Sequence, residues 1–467
     1  MDIVTQIKKF IEPGSVAIIG VSRTPMTIGS AAMDVLSNLT SRGYQGKIYP
    51  VHPRAGEIQG LKTYASVAEL PENIDLAVIN LPRNLVSGIV KECINRGIKA
   101  IIIITQGFTD ADDEQGKRLQ REIDDVVRGT DARILGPNTL GTANAYLNFS
   151  SAFGKHNMEK IPVGFMCQTG VFFGGSTSWQ FIGKVIDVGN ASDVSFSDGL
   201  EYFEQDDEIR VIGLHIEGMK DAARFLKTAR RVGRKKPIVA LKTGRSERAI
   251  QAAQSHTGSL VGKREIWDSA LKQVGVIRVN DAEELADAVK AFYTLPLMKG
   301  RKVGIITYSG GFGIMSIDAC EKHDLEVARL SPETINRLNP LYPSWQKAGN
   351  PADIWPATMV EAKKISLSEV LEIVTNALLD DPGVDAILFM LYDIVTAVFA
   401  TELNKIIEKA VKSHPDKPLV FYFYGVFGAE AVGEFESQGR TVAFPGPFRA
   451  NRALGHLADY TEFRERC

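Results

Sequence analysis

Several features are scarce in this 467-residue sequence, and each absence excludes a class of protein. The four cysteines lack paired or metal-type spacing, as expected of reduced thiols rather than a disulfide framework. Acidic and basic residues nearly balance, 56 against 54, which gives no electrostatic basis for a nucleic-acid or membrane-surface partner. The apolar runs are too short to cross a bilayer, and the N-terminus lacks the apolar core of a signal peptide. We expect a soluble cytoplasmic protein. From the spacing of its cysteines we expect no bound metal.

The first third of the chain alternates short apolar runs with stretches of helical period. Strands alternating with helices predict a parallel, doubly wound, Rossmann-like sheet, which binds ligands at the carboxyl ends of its strands. The predicted strands are residues 16–19, 47–51, 76–79, 100–104 and 132–135.

The ligand site of this sheet is predicted from the residues that follow its strands. Gly20–Arg23 is a loose match to the dinucleotide fingerprint, and the second strand ends at Pro53 with no acidic residue for a ribose hydroxyl. NAD is therefore disfavoured, and coenzyme A fits better, with Arg23 and Lys47 as partners for phosphate. The alternative is that the glycine only turns the chain from strand to helix.

The remainder of the chain contains one unit twice. Five pairs of landmarks occur in the same order: 163–170 with 303–310, 189–194 with 349–354, 211–216 with 386–391, 236–239 with 417–420, and Gly244 with Gly425. The repeat predicts two flavodoxin-like α/β domains after the first one. The predicted domains are residues 1–149, 150–298 and 299–467.

The two copies differ in one loop, which contains His256. The first copy carries a glycine-rich segment there, whereas the second copy is about half as long and has no histidine. A neutral imidazole can attack phosphorus, so His256 is a candidate nucleophile. Glu217, at the end of the neighbouring predicted strand, is placed to accept a hydrogen bond from the other ring nitrogen. The plain alternatives are an ordinary loop histidine and a solvated strand-end carboxylate.

Thr169 and Gly170 follow the first predicted strand of the same copy. A hydroxyl and free backbone N–H groups at a helix N-terminus suit phosphate. The aromatic residues just beyond them suggest a bulky acyl group, although aromatics after a strand are more often part of the core. These aromatics are Phe172, Phe173 and Trp179.

Over nearly its whole length the sequence resembles the α subunit of the ADP-forming acyl-CoA synthetases, relatives of succinyl-CoA synthetase. The His-Thr-Gly loop at 256–258 and Gly-Pro-Asn at 136–138 are the specific pieces of this resemblance. The other matching segments are Gly20–Arg23, residues 49–53, Gly107-Phe108, Gln168–Gly170, Gly189-Asn190 and residues 350–353.

The resemblance implies that acyl-CoA and phosphate give an acyl phosphate, whose phosphoryl group passes to His256 and then to ADP. It implies that Glu217 steadies the phosphohistidine and that the phosphate and acyl groups lie near Thr169, Gly170, Asn138 and Asn190. The coenzyme A site would be lined by Gly20, Ser22, Arg23, Pro53 and Pro82. Nothing in the chain resembles the ATP-grasp portion of the family, so ATP, ADP and Mg²⁺ would be held by a separate β subunit, in an α2β2 assembly.

Some positions depart from the family pattern and leave the substrate acid open. Cys167 and Thr169 stand where serines are usual, Thr139 where serine or cysteine is usual, and His52 where asparagine is usual. Two other functions stay open on the sequence. One is a non-catalytic protein that binds coenzyme A or acyl-CoA on this scaffold, and the other is a nicotinamide-dependent oxidoreductase, which the missing acidic residue disfavours.

Overall fold

A computed structural model of the chain describes residues 2–22, 31–54, 56–174, 183–244, 248, 264–359, 365–392, 400–425, 432, 436 and 440–466. The chain divides into two compact units, Met1–Ala286 and Asp287–Cys467, and each is described by itself. The predicted division into three domains, with boundaries at 149/150 and 298/299, stays a prediction. No helix in the described ranges combines the length and the apolarity needed to cross a bilayer.

The first unit opens with a five-stranded parallel sheet in the order β2-β1-β5-β6-β7. Its predicted strands are confirmed within one residue at each end. The strands are β1 (Ser15–Ile19), β2 (Lys47–Val51), β5 (Leu76–Ile79), β6 (Ala100–Ile103) and β7 (Arg133–Leu135), with a small hairpin of β3 (Glu57–Ile58) and β4 (Leu61–Lys62). The helices are α1 (Ile3–Ile11), α2 (Ala31–Ser41), α3 (Arg83–Asn95) and α4 (Glu114–Val127), with a 3₁₀ turn at Val67–Glu69.

Burial explains why these strands read as continuous apolar runs. Helices cover both faces of a parallel sheet, so successive side chains on either face are apolar. All four residues of β5 and all four of β6 are buried. The apolar core therefore stabilises the sheet, and the polar residues at its carboxyl edge are not needed for packing.

The second sheet of this unit has the order β14-β13-β12-β10-β11-β8-β9, with β8 antiparallel to β11. Its strands are β8 (Thr142–Asn144), β9 (Phe149–Ser150), β10 (Val163–Cys167), β11 (Lys184–Asp187), β12 (Val211–Ile216), β13 (Ile238–Lys242) and β14 (Val276–Val279). The next helices are α5 (Val171–Gly174), α6 (Phe196–Gln205), α7 (Ala222–Gly233), α8 (Arg264–Gln273) and α9 (Ala282–Thr294), and a 3₁₀ turn lies at Ala145–Leu147. Helix α1 is tied to this sheet as well, because Thr142 Oγ1 donates to the carbonyl of Phe10 (2.6 Å).

The second unit is built on a sheet with the order β16-β15-β18-β19-β20, in which β17 also pairs with β15. Its strands are β15 (Lys302–Thr307), β16 (Glu326–Val327), β17 (Ala352–Asp353), β18 (Ala386–Tyr392), β19 (Leu419–Tyr424) and β20 (Thr441–Ala443). Its helices are α10 (Gly310–Lys322), α11 (Pro332–Leu338), α12 (Leu367–Asp380), α13 (Ala400–Ser413) and α14 (Pro447–Glu465), with 3₁₀ turns at Asn339–Leu341 and Pro356–Met359.

Strand registers confirm the internal repeat. Val163 lies opposite Val211 in one sheet, and its counterpart Val303 lies opposite Ala386 in the other. The next pairs also correspond, Ile212 with Ile238 and Ile387 with Leu419. Gly244 and Gly425 both have positive φ, 69° and 130°. Two copies of one flavodoxin-like topology therefore share a register strand by strand.

One landmark of the predicted repeat is wrong. Asp353 was matched with Asp193, but Asp353 lies opposite Thr307, the position that Cys167 holds in the other sheet. Cys167 lies opposite Asp187. Asp353 therefore corresponds to Asp187, because ladder pairing and not the local Gly-Asn pattern decides equivalence.

Candidate active site

The three sheets share one connection pattern, which locates their ligand crevices. Counting the parallel strands of each sheet in chain order and leaving out the two-residue β17, the spatial order is 2-1-3-4-5. Connections leave the first and third strands of such a sheet in opposite directions, so a crevice opens beyond their carboxyl ends. In the second sheet these strands are β10 and β12, which end just before Gln168 and Glu217.

The side chain of Gln168 joins the ends of these two strands. Its Oε1 accepts hydrogen bonds from the backbone N–H groups of Glu217 (2.8 Å) and Gly218 (3.0 Å). Gln168 is 5% exposed, and its Nε2 has no hydrogen-bond partner in the described part of the chain. The predicted residues Thr169 and Glu217 thus lie on neighbouring strand ends at one edge of the sheet.

His256 lies outside the described residues, but the start of its loop is fixed beside Glu217. The buried Lys242 at the end of β13 donates from Nζ to the carbonyls of Glu217 (2.8 Å) and Thr243 (2.5 Å). The backbone N–H of Thr243 donates to the carbonyl of Ile216 (3.0 Å). The chain therefore leaves β13 next to Glu217 before it enters the histidine loop.

Two predicted asparagines are brought together at the same edge. Asn138 Nδ2 donates to Asn190 Oδ1 (3.4 Å), and Asn190 Nδ2 donates to Asp110 Oδ1 (2.8 Å). Asp110 in turn accepts from the backbone N–H groups of Gly107 (2.9 Å) and Phe108 (3.0 Å). This chain of bonds connects the carboxyl edge of the first sheet with that of the second.

Gly170 lies against the loop that carries Asn138. A Cβ at this position would lie 2.5 Å from Leu140 Cδ1, so a larger residue would require the Leu140 side chain to move. Thr169, Gly170, Asn138 and Asn190 are therefore parts of one loop cluster.

Burial controls the charge states beneath the loops. It raises the pKa of Asp187 to about 6, an effect that backbone hydrogen bonds from Leu140 and Gly189 oppose and that the Glu217 carboxylate strengthens. Burial also raises the pKa of the Cys167 thiol, which is therefore a neutral packing group. The site thus holds a carboxylate that changes charge near neutral pH.

A second histidine, His215, also lies in this region, but its side chain is buried. Burial lowers its pKa to about 3, helped by the charge of Lys242, so the ring is neutral. Its Nε2 contacts Thr243 Oγ1 (3.2 Å), and Phe172 lies against it with ring centroids 4.6 Å apart. Phe173 is fully buried. Phe173 thus belongs to the core, Phe172 is half-buried against His215, and Trp179 lies outside the described residues.

The residues predicted for coenzyme A follow strands of the first sheet. Gly20 has φ 104°, and a Cβ there would lie 2.1 Å from the carbonyl oxygen of Asn80, so glycine lets β1 and β5 end side by side. Pro82 caps α3. Gly20, Ser22, Pro53 and Pro82 all follow the carboxyl ends of parallel strands. Arg23 lies outside the described residues.

The prediction that Lys47 meets phosphate at this edge is wrong. Lys47 is the first residue of β2, and the first residue of a parallel strand lies at the edge opposite the ligand crevice. The basic residue at the carboxyl end of the same strand is Arg54, directly after Pro53. Strand direction, which the sequence pattern already indicates, would have selected Arg54.

Sequence reasoning missed two buried or bridging carboxylates, Asp187 and Asp110. Asp187 ends an apolar strand just before a glycine, and a charged residue in such a run is a signal of a special role. Asp110 carried no such signal, because the residue that links it to the second sheet, Asn190, lies 80 positions further along the chain.

Three family models match successive parts of the chain. A coenzyme A binding domain matches residues 14–145, a succinyl-CoA ligase-like flavodoxin domain matches 161–292, and a ligase-CoA domain matches 303–460.

Similar proteins cover the chain to different extents. The acetate–CoA ligase [ADP-forming] II subunit alpha of Pyrococcus furiosus is 37% identical over 91% of this chain and 91% of its own length. The acetate–CoA ligase [ADP-forming] of Methanocaldococcus jannaschii is 38% identical over 75% of this chain and 49% of its own length. The chain thus spans about half the length of that second relative.

A solved structure matches the fold along the chain. The dinucleotide forming acetyl-coenzyme A synthetase 1 of Ca. Korarchaeum cryptofilum, in complex with phosphate and ADP, gives a TM-score of 0.86 at 30% identity. The match covers 98% of this chain and 97% of the other.

Proposed function

The chain belongs to the family of ADP-forming acyl-CoA synthetase α subunits, and on this basis we propose that it interconverts a carboxylic acid, coenzyme A and ATP with acyl-CoA, ADP and phosphate. The observation that carries the proposal is the Gln168 bridge. It holds the Thr169-Gly170 turn beside Glu217, next to the strand from which the His256 loop departs. A turn suited to phosphate and an orienting carboxylate thereby lie at the sheet edge where the chain enters the histidine loop, which supports a phosphoryl-transfer role for His256.

In the direction of acyl-CoA breakdown, the proposed reaction proceeds in three displacements. A phosphate oxygen attacks the thioester carbonyl carbon, the carbon–sulfur bond breaks, and coenzyme A leaves as the thiolate. A ring nitrogen of His256 then attacks phosphorus of the acyl phosphate, and the bond from phosphorus to the acyl oxygen breaks to release the carboxylate. An oxygen of ADP takes the phosphoryl group from His256, which gives ATP. Ligation is the reverse.

The residues of the loop cluster have separate parts in this proposal. Glu217 accepts a hydrogen bond from the imidazole nitrogen that does not react, which keeps the other nitrogen free and steadies the phosphohistidine. Thr169 and Gly170 hold phosphate through the hydroxyl and the backbone N–H groups. Asn138 and Asn190 border the acyl carbon, so that acyl and phosphoryl transfer share one position.

Coenzyme A is proposed to bind at the corresponding crevice of the first sheet. The switch point between β1 and β5 is lined by Gly20, Ser22 and Pro82, with Pro53 on the neighbouring strand end. Close strand ends and a helix that starts at Arg83 suit a nucleotide-like ligand. Arg23 and Arg54 would meet its phosphate charge.

We further infer that nucleotide and Mg²⁺ are held by an ATP-grasp β subunit, in an α2β2 assembly located in the cytoplasm. Support comes from the naming of the Pyrococcus furiosus relative as an alpha subunit. Among the described residues no three His, Cys, Asp or Glu side chains are grouped so as to hold a metal ion.

The test is to incubate the purified chain, alone and with its co-encoded ATP-grasp partner, with labelled ATP or with acetyl-CoA and labelled phosphate. An acid-labile, base-stable phosphoryl group on His256 is expected, chased by ADP. His256→Ala should abolish both the label and acid-dependent ATP turnover while coenzyme A binding persists. His414→Ala, at a surface histidine of the second unit, is the control and should change neither.

Retained turnover in the His256→Ala pair would refute the phosphohistidine route. Bound coenzyme A with no label under any pairing would favour the other function, a non-catalytic protein that binds coenzyme A or acyl-CoA.

A further inference from the structure

Asp187 is a buried carboxylate whose two oxygens bond to two different loops. It is 2% exposed and is the last residue of β11. Oδ2 accepts from the backbone N–H of Leu140 (2.8 Å), in the loop that carries Asn138. Oδ1 accepts from the backbone N–H of Gly189 (3.1 Å), one residue before Asn190. One side chain therefore fixes both asparagine loops.

The backbone around Asp187 strengthens the same connection. Its N–H donates to the carbonyl of Gly141 (2.8 Å), and its carbonyl accepts from the hydroxyl of Thr139. The N–H of Asn190 donates to the carbonyl of Pro137 (3.0 Å). The two loops therefore do not shift independently of each other.

The fit between the loops leaves little space for adjustment. A Cβ at Gly189 would lie 2.5 Å from the carbonyl oxygens of Pro137 and Asn138. Because backbone meets backbone here, a change in the hydrogen bonds to Asp187 moves the asparagines themselves.

We propose that Asp187 is a positioning residue of the transfer site, which sets the separation of Asn138 and Asn190 beside the Thr169-Gly170 turn. The role rests on the proposed function, in which these side chains border the reacting acyl and phosphoryl groups. Asp187 touches no reacting atom in this scheme and acts through the two loops.

The second copy of the repeat also has an aspartate at the position of Asp187, and it allows a comparison of the two hydrogen-bond patterns. Asp353, the counterpart of Asp187, accepts from the backbone N–H of Trp355 (3.1 Å), two residues further on, just as Asp187 accepts from Gly189. Within the described part of the chain no bond corresponding to that from Leu140 is found at Asp353. The bond to the second loop is thus the addition that accompanies the histidine loop.

The surroundings of Asp187 make its role depend on pH. The titratable groups that bear on it are the Cys167 thiol from β10 and the Glu217 carboxylate from the end of β12. Burial raises the pKa of Asp187 to about 6, so the carboxylate is ionised at neutral pH. Once protonated, one oxygen carries a proton and no longer accepts freely from both loops. Turnover supported by the ionised form should fall as the pH drops through about 6.

The test compares wild type and Asp187→Asn, each reconstituted with the ATP-grasp partner and assayed between pH 5 and 8 with acetate, or with the carboxylic acid that wild type turns over fastest in a screen. An asparagine has one acceptor oxygen, so it serves one loop and turns an NH₂ group toward the other. We expect kcat to fall about 10–100-fold at pH 7.5, as for a displacement of catalytic groups by about 1 Å. The KM for coenzyme A should stay within about twofold, and the acidic limb near pH 6 should disappear.

Asp206→Asn is the matched control. Asp206 is also a buried carboxylate, and it pairs with Lys184 (2.7 Å) at the opposite end of the same strand. The Asp206→Asn substitution should lower the melting temperature and leave kcat and the acidic limb of the pH profile as in wild type. If Asp187→Asn does not fold, Thr139→Val removes the hydroxyl bond to the Asp187 carbonyl, and a fall in kcat with the acidic limb retained supports the role.

The outcomes separate this role from the proposed function. Wild type without turnover on any acid overturns the proposed function, and the positioning role with it. Wild type with turnover, together with an Asp187→Asn enzyme of unchanged kcat and unchanged acidic limb, overturns the positioning role alone. If Thr139→Val is the variant used, an unchanged kcat overturns it equally.

Discussion

The buried Asp187 should reduce the stability of the protein at neutral pH. Its pKa rises from the ordinary 3.8 to about 6 in the folded state, because burial disfavours the ionised form. Between these two values the folded chain holds a proton that the unfolded chain has lost. Stability therefore decreases as the pH rises through this window, and it is lower by a constant amount above about pH 6.

The size of this effect follows from the pKa difference. About two pKa units at about 1.36 kcal/mol each give a total loss of about 3 kcal/mol, most of which falls between pH 4 and pH 7. Asp187→Asn cannot ionise and lacks this loss, although it forfeits one hydrogen bond at every pH. The free energy of unfolding of the variant minus that of wild type should therefore increase by about 3 kcal/mol across the window.

Thermal unfolding at pH 4.5 and pH 7.5, followed by differential scanning fluorimetry, measures about 2 kcal/mol of this difference, because the unfolded chain has already lost most of its proton at pH 4.5. About 2 kcal/mol corresponds to a relative change in Tm on the order of 3–7 °C for a unit of this size. The constant loss of a hydrogen bond cancels between the two pH values, so only the titration of residue 187 remains. A Tm difference between variant and wild type that is the same at both pH values would refute the reasoning.

Two further substitutions test the fold. Lys184→Met should destabilise the first unit by about 3–5 kcal/mol in denaturant titration, because it leaves the buried Asp206 carboxylate without its cation. Lys99→Met, at an exposed ion pair, should cost about 1 kcal/mol or less. Gly20→Ala should destabilise the first unit by at least about 1–3 kcal/mol, because Gly20 has positive φ and an added Cβ would meet the carbonyl oxygen of Asn80. The same substitution should weaken coenzyme A binding in calorimetry. Gly88→Ala in α3 is the control and should be neutral or slightly stabilising. If Lys99→Met destabilises the protein as much as Lys184→Met, or Gly88→Ala as much as Gly20→Ala, the structural roles given to Lys184 and Gly20 are contradicted.

The fold could be predicted from the sequence because its signal is local and repeated. Parallel strands covered on both faces give uninterrupted apolar runs, and the runs at 76–79 and 100–103 coincide with strands. The repeat could also be predicted, since the same register requires apolar and glycine residues at matching positions. The wrong match of Asp353 with Asp193 arose where a turn pattern resembled another without sharing its pairing.

The candidate site could be predicted only in part. Thr169 and Glu217 follow strands, so strand order places them at one edge. The bridge by Gln168 was not predicted, because it depends on a side chain that reaches across two strand ends. The link from Asn190 to Asp110 joins residues 80 positions apart, and no local pattern encodes such a pair.

Asp187 explains why the extra chemistry lies in the first copy of the repeat. Both copies place an aspartate at the same register, where it accepts a backbone N–H two residues further on. That local bond suffices to turn the chain. In the first copy the same carboxylate also accepts a hydrogen bond from Leu140, and burial raises its pKa to about 6. Burial also raises the pKa of Asp353, but of the two, within the described ranges, only Asp187 combines this cost, about 3 kcal/mol for Asp187, with a bond to a second loop, as expected where two loops must be held for catalysis.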